Sequence, residues 1–166
     1  VYAATRCAGF VARPELGPPL TRLLGSPEAK VTSTKEAARL LGSLRPPGAV
    51  DVLLAAFDGE GVHRDLRVAI ARSLRSSLDD DRVWRILTAL PSGTDDEAGS
   101  LLEITARHLP SRHRTRYAAL VLDLSRASSR RVRAEALSAL AGWARWSPGA
   151  PAAACLAIED FDAGPE

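Results

Sequence analysis

Large apolar residues recur along the chain with a helical spacing that itself repeats. Val50, Leu53, Leu54 and Phe57 follow the i, i+3, i+4, i+7 pattern that puts side chains on one face of an α-helix. A shift of 33 residues lands on Val83, Ile86, Leu87 and Leu90, and a further 34 on Tyr117, Leu120, Val121 and Leu124. Another 33 gives the smaller set Ala150, Ala153, Ala154 and Ala157, while 33 backwards gives a degraded copy at Gly17, Leu20, Thr21 and Leu24. The pattern predicts five helices in register, the mark of a repeat architecture.

A second helix precedes each of these. Its markers are Ala8-Gly9, Leu41-Gly42, Leu74-Arg75 and Leu140-Ala141, with the missing copy near Leu109 and slightly out of step. The punctuation agrees. Ser33 with Glu36 and Thr94 with Glu97 have capping-box spacing, in which hydroxyl and carboxylate satisfy orphan helix amides reciprocally. Asp79 to Asp81, Ser111 and Ser147-Pro148 suit other helix starts. Pro46-Pro47, Pro91 and Pro110 fall between helices, where a missing N–H does no damage. The predicted pairs cover 1–12 and 16–25, 33–44 and 47–57, 64–77 and 80–90, 96–108 and 112–126, and 130–145 and 149–158. No segment reads as a strand.

The expected fold class is therefore all-α. One-sided apolar faces cannot be buried within a single pair, so neighbouring pairs must stack, giving a right-handed α-α superhelix of five antiparallel pairs. The whole of 1–166 reads as one repeat domain with repeats near 1–27, 28–60, 61–93, 94–127 and 128–160. Residues 161–166 form an acidic tail that, with Glu159 and Asp160, would cap the array.

Among repeat families of this period, the chain lacks the Thr-Pro-Leu-His-x-Ala motif of ankyrin repeats and the first-helix Trp of tetratricopeptide repeats. It resembles HEAT repeats in their short bacterial form. The matching segments are Leu66-Arg67-Val68-Ala69-Ile70-Ala71-Arg72-Ser73-Leu74 and Val132-Arg133-Ala134-Glu135-Ala136-Leu137-Ser138-Ala139-Leu140, with Ala37-Ala38-Arg39-Leu40-Leu41-Gly42 as a copy without the Val-Arg start. Asp58 before Arg67 is similar to the family's structural Asp/Arg pair. The resemblance is clearest over 33–142. It implies a HEAT-like solenoid whose second helices line the concave side, serving as a binding scaffold rather than as a catalyst.

Charge adds to this picture. Residues 79–103 carry seven acids against Arg82 and Arg85, whereas residues 107–133 carry eight arginines against Asp123 alone. Arg112, Arg116 and Arg126 fall off the apolar face of their helix, and Arg82 and Arg85 hold comparable positions on the preceding second helix. These five arginines are the expected partner-binding strip, suited by the guanidinium fork to carboxylates or phosphates. Arg67 and Arg133 belong to the structural pattern and are excluded from it.

Other chemistry finds little support. His63, His108 and His113 show no metal-ligand spacing and none is followed by Glu, as the iron-holding His-Glu pairs of HEAT-like hydroxylases would require. No metal and no cofactor is expected. Cys7 and Cys155 sit in Ala-rich helical faces, the usual setting of an inert buried thiol, and their separation implies no disulfide framework. Trp84 and Trp143 read as packing residues; Trp146, at a helix exit, is the tryptophan best placed for a partner contact. HEAT-like DNA glycosylases use a basic groove with tryptophans and a carboxylate, and Asp123 lies within the arginine strip, but no Trp is expected beside it.

Composition is consistent with these expectations. Of 22 basic residues only Lys30 and Lys35 are Lys, and 46% of residues are hydrophobic with 5% aromatic. That is an Arg-rich, Ala/Leu-built helical chain of the kind coded by high-GC bacterial genomes. No apolar run approaches the roughly 20 residues needed to span a bilayer, so no membrane role is expected and a cytoplasmic setting fits. A start at Val1 inside an Ala-rich stretch points to a piece of a longer protein. The expected function is a non-enzymatic scaffold module that binds a protein partner, acidic in character, on its concave arginine-bearing face. A nucleic-acid-binding array is the alternative, and a HEAT-like DNA glycosylase a more distant one.

Overall fold

The computed structural model describes residues 1–11, 13–105 and 109–143. Among them every regular element is helical and no strand occurs. The chain divides into two compact units, the first running from Val1 to Trp84 and the second starting at Arg85.

In the first unit, α1 (Tyr2–Val11) is followed by a 3-10 turn (Pro14–Leu16) that runs into α2 (Gly17–Leu24). Then come α3 (Val31–Leu44), α4 (Ala49–Phe57) and α5 (Arg64–Leu74), the last extended by a 3-10 turn at Arg75–Ser77. Helix α3 is the centre of this unit, packing against α1, α2, α4 and α5. Its sequence explains why. Ala37, Ala38, Leu40 and Leu41 are buried, and the small residues permit close helix–helix approach. At Gly42 the approach is closest: a Cβ there would lie 2.7 Å from the Ser73 carbonyl oxygen. The Ser76 hydroxyl then donates to the Gly42 carbonyl at 2.8 Å. Ile70, Ala71 and Leu74 complete the same core from α5.

Helix α3 starts two residues before the position expected from Ser33 and Glu36. Lys30, in extended conformation, is the cap residue, and the Ser33 N–H already donates to the Lys30 carbonyl. Ser33 therefore lies buried inside the first turn and makes no capping box. Glu36 is used differently, accepting from Arg39 Nη2 at 2.7 Å and Nε at 3.0 Å. The Arg39 pair holds the Glu36 carboxyl below its ordinary range.

Helix α6 (Asp81–Ala89), with a 3-10 turn over Leu90–Ser92, spans the border of the two units. Asp80 sits just before it, and its carboxylate accepts from the Arg82 backbone N–H at 2.9 Å. Beyond it lie α7 (Asp95–Leu102), α8 (Arg114–Leu124, entered through a 3-10 turn at Ser111–His113) and α9 (Arg130–Trp143). Helices α7 and α8 both pack on α9. Here the expected capping box is present: the Glu97 N–H donates to Thr94 Oγ1 at 3.4 Å, and the Thr94 N–H to Glu97 Oε2 at 2.9 Å. Helix α7 is shorter than the periodicity suggests. Past Leu102 the carbonyls at the helix end face the Tyr117 hydroxyl, which lies 3.1, 3.4 and 3.2 Å from the oxygens of Leu101, Leu102 and Ile104.

The repeated apolar face is buried in each described second helix. Leu20 and Leu24, then Leu53, Leu54 and Phe57, then Val83, Leu87 and Leu90, then Tyr117 and Val121 are all buried. Ile86, Leu120 and Leu124, expected on the same face, are half-buried. The expected fifth second helix at 149–158, Trp146, Cys155, the acidic tail, Arg107 and His108 lie outside the described residues, as does the side chain of Trp143.

Candidate interaction surface

Among the described arginines, some are bonded by carbonyls or carboxylates of the helical framework and others stand exposed without an ion pair. Arg67 and Arg133 are among those bonded. Arg67 Nη1 donates to the Phe57 carbonyl at 3.0 Å, at the end of α4. Arg133 Nη1 donates to the carbonyls of Ala127 and Ser128 at 3.0 and 2.8 Å, just beyond α8. Arg67 thus satisfies a carbonyl that the end of α4 leaves without an intrahelical partner, and Arg133 ties the loop after α8 to α9. Arg131 bridges α9 to α7, reaching Asp96 at 2.9 Å and Glu135 at 3.0 Å.

Of the five arginines expected to form a strip, Arg82 also belongs to the framework. It bonds Asp80 at 2.7 Å, and Asp51 on α4 at 2.8 Å. This contact with Arg82 is the main reason that the Asp80 carboxyl titrates below its ordinary value. Arg82 therefore ties α6 to α4, and its charge is largely compensated within the first unit. The other four lie in the second unit. Arg85, Arg112, Arg116 and Arg126 are all exposed. Arg112 Nε donates to Nε2 of the buried His113 at 3.2 Å. Arg85, Arg116 and Arg126 make no ion pair among the described residues.

Helix α8 gives this group its order. Tyr117 and Val121 face inward, leaving Arg112, Thr115, Arg116, Ala119, Asp123 and Arg126 along the exposed side. Arg116 lies in the first turn of α8 and Arg126 two residues past its end at Leu124. Asp123 falls between them on the same side and lowers the local positive charge. Arginine forks so placed suit a ligand carrying carboxylates or phosphates on successive turns or residues.

Among the described residues, aromatic side chains do not join this face. Trp84 is 5% exposed and Tyr117 fully buried, so neither offers a stacking surface for a base. The exposed large apolar side chains among the described residues are Val1, just before α1, and Tyr2, its first residue. His63 begins α5, its Nδ1 accepting from the Asp65 N–H at 3.1 Å. Among the described residues no three His, Cys, Asp or Glu side chains converge as a metal site would need. Cys7 departs from its expected setting: it is exposed on α1. No described helix is long and apolar enough to cross a membrane.

Three ion pairs join opposite charges 30, 31 and 35 residues apart in sequence: Lys35 with Asp65, Asp51 with Arg82, and Asp96 with Arg131. Their spacing is a signal that a reading by local charge balance passes over. No protein-family model matches the chain, and no curated protein or solved structure is significantly similar to it.

Proposed function

We propose that this chain is a series of stacked HEAT-like helix pairs that acts as a non-enzymatic scaffold, holding an acidic segment of a protein partner on its arginine face. In this reading the second helices α4, α6 and α8 form the inner side of a right-handed solenoid. Arg85, Arg112, Arg116 and Arg126 supply the contacts, and Arg82 serves mainly to hold α6 on α4.

The observation that carries the reading is the division among the arginines. Arg67, Arg82, Arg131 and Arg133 are engaged by carbonyls or carboxylates of the framework, while Arg85, Arg116 and Arg126 stand exposed without an ion pair among the described residues. Exposed guanidinium groups opposite a packed apolar face bind anions through paired N–H donors. A protein partner is favoured over single-stranded nucleic acid because Trp84 and Tyr117 are committed to the core, and base stacking normally supplies much of single-strand affinity.

Fluorescence anisotropy separates the readings. The probes are a labelled poly-glutamate peptide, labelled duplex DNA and labelled single-stranded DNA, each titrated at low and near-physiological salt. The scaffold reading expects peptide binding that is lost in Arg112→Glu/Arg116→Glu while the helical circular-dichroism spectrum is unchanged. DNA binding that outlasts the peptide's and falls steeply with salt would transfer the face to the nucleic-acid reading. Peptide affinity unchanged by the double reversal would overturn the arginine face itself.

A further inference from the structure

The turn between α3 and α4 carries a feature that the arginine face does not use. Arg45 ends α3 in the left-handed conformation, with φ 47°, and is the one non-glycine residue of positive φ among the described residues. Glycine is strongly preferred just past a helix end in this conformation, because an L side chain crowds the adjacent carbonyl. Strain of this kind persists where the surroundings enforce it, and it clusters at ligand-holding positions.

The surroundings here are rigid. Pro46 is buried against α2, so close that a Cβ on Gly17 would lie 2.8 Å from the Pro46 Cβ. Pro47 and Gly48 (φ 77°) then turn the chain into α4. Between this turn and the 3-10 turn after α5 lies a slot of about 230 Å3, walled by Leu41, Ala49, Val50 and Leu53 and also lined by Arg45, Asp51 and Ser77. Asp51 is bonded to Arg82 at 2.8 Å. Arg45 is exposed and makes no ion pair among the described residues, which leaves it as the uncompensated charge at the slot.

We propose that this slot binds a small apolar group bearing a carboxylate, with the apolar body against Leu41 and Leu53 and the carboxylate held by the Arg45 guanidinium. Size supports the assignment: a cavity of about 150 Å3 accommodates benzene, so this one takes a single aromatic ring or branched chain with a short arm. Chemistry supports it equally. The walls favour an apolar body by removing it from water. A guanidinium donates two parallel N–H bonds to a carboxylate, and a neutral amide cannot accept them with the same strength. An apolar carboxylate of this size is found both in free small acids and at the end of a peptide chain whose last residue is aromatic.

The test is a titration of the full chain followed by amide NMR. Phenylacetate represents the free acid, N-acetylglycylphenylalanine the peptide end, and phenylacetamide the neutral control. The site predicts shifts concentrated at residues 48–53 and at least about tenfold weaker binding of phenylacetamide, the usual scale for loss of a charged hydrogen bond. Arg45→Gly should weaken both acids by about tenfold or more while raising the thermal midpoint, since glycine accepts the left-handed backbone without strain. Val50→Phe, which narrows the slot from a half-buried position and leaves Arg45 in place, should also abolish binding. Tighter binding of the dipeptide identifies a protein terminus as the natural occupant, and tighter binding of phenylacetate a free acid. Equal affinity for acid and amide, unchanged affinity in Arg45→Gly, or no shifts at these residues would each overturn the site.

Discussion

The guanidinium carbon of Arg67 lies 4.2 Å from the centroid of the Phe57 ring while Nη1 of the same side chain donates to the Phe57 carbonyl at 3.0 Å. One side chain thereby holds both the backbone and the ring of the last residue of α4. Arg67 is the fourth residue of α5, and Arg133, the fourth residue of α9, reaches the carbonyls beyond α8 in the same manner. The two residues stand 66 positions apart, two repeats of the sequence pattern. This recurring contact explains why arginine stands at the start of these first helices: it closes the preceding turn. Replacing Arg67 by Met keeps the stem and removes the donors, and should cost about 1–2 kcal/mol, the usual worth of a charged hydrogen bond and a cation–ring contact. Urea denaturation measures it, and a neutral Arg67→Met would show that the turn closes without this residue.

Tyr117 makes a comparable closure at the end of α7. Its ring is fully buried and its hydroxyl faces three carbonyls, of which Leu101 is nearest at 3.1 Å. Tyr117→Phe preserves the ring and leaves buried carbonyls without that donor. The expected loss is about 1–3 kcal/mol in denaturant midpoint experiments with an unchanged slope. A loss confined to a few tenths would mean that water replaces the hydroxyl.

Core truncations should grade with burial rather than with position in the repeat. Leu87 is fully buried and Leu54 8% exposed, whereas Leu120 at the corresponding face of α8 is half-buried. Leu54→Ala and Leu87→Ala should each cost about 2–5 kcal/mol as buried-core truncations. Leu120→Ala should cost distinctly less. Equal losses in all three would show that Leu120 is as enclosed as its counterparts.

Two carboxylates set an acid limit on stability. Glu36, paired with Arg39, and Asp80, paired with Arg82, both titrate below their ordinary values of 4.5 and 3.8. A carboxyl whose folded pKa is depressed contributes its full stability above the unfolded value, and loses it as pH falls through the folded one. Stability should therefore hold above about pH 5 and decline below it as the unfolded chain takes up protons first. Glu36→Gln/Asp80→Asn should be less stable than wild type near neutrality and show a shallower decline on acidification. Parallel pH profiles for the two proteins would remove these pairs from the account.

The helical framework was legible because its signals are local. The i, i+3, i+4, i+7 stripes marked the second helices, and Thr94 with Glu97 marked a helix start that the structure contains. Ser33 and Glu36 carry the same signature and were misleading, since the chain enters α3 two residues earlier and the Lys30 carbonyl already satisfies the Ser33 N–H. Arg82 shows the equivalent limit for the site. Its place off the apolar face was readable, but its engagement by Asp51 depends on how α6 lies beside α4.

The sequence by itself determined the all-helical class, the succession of the described helices and which face of each described second helix is apolar, because side-chain periodicity and chain breakers act within a few residues. Only tertiary structure decided which arginines remain available, that Cys7 is exposed, and that Arg45 is held left-handed beside an apolar slot. Those outcomes depend on residues brought together from about one repeat away, or on the way the turn between α3 and α4 is held in place. Distances of that kind are set by packing, and no local pattern encodes them.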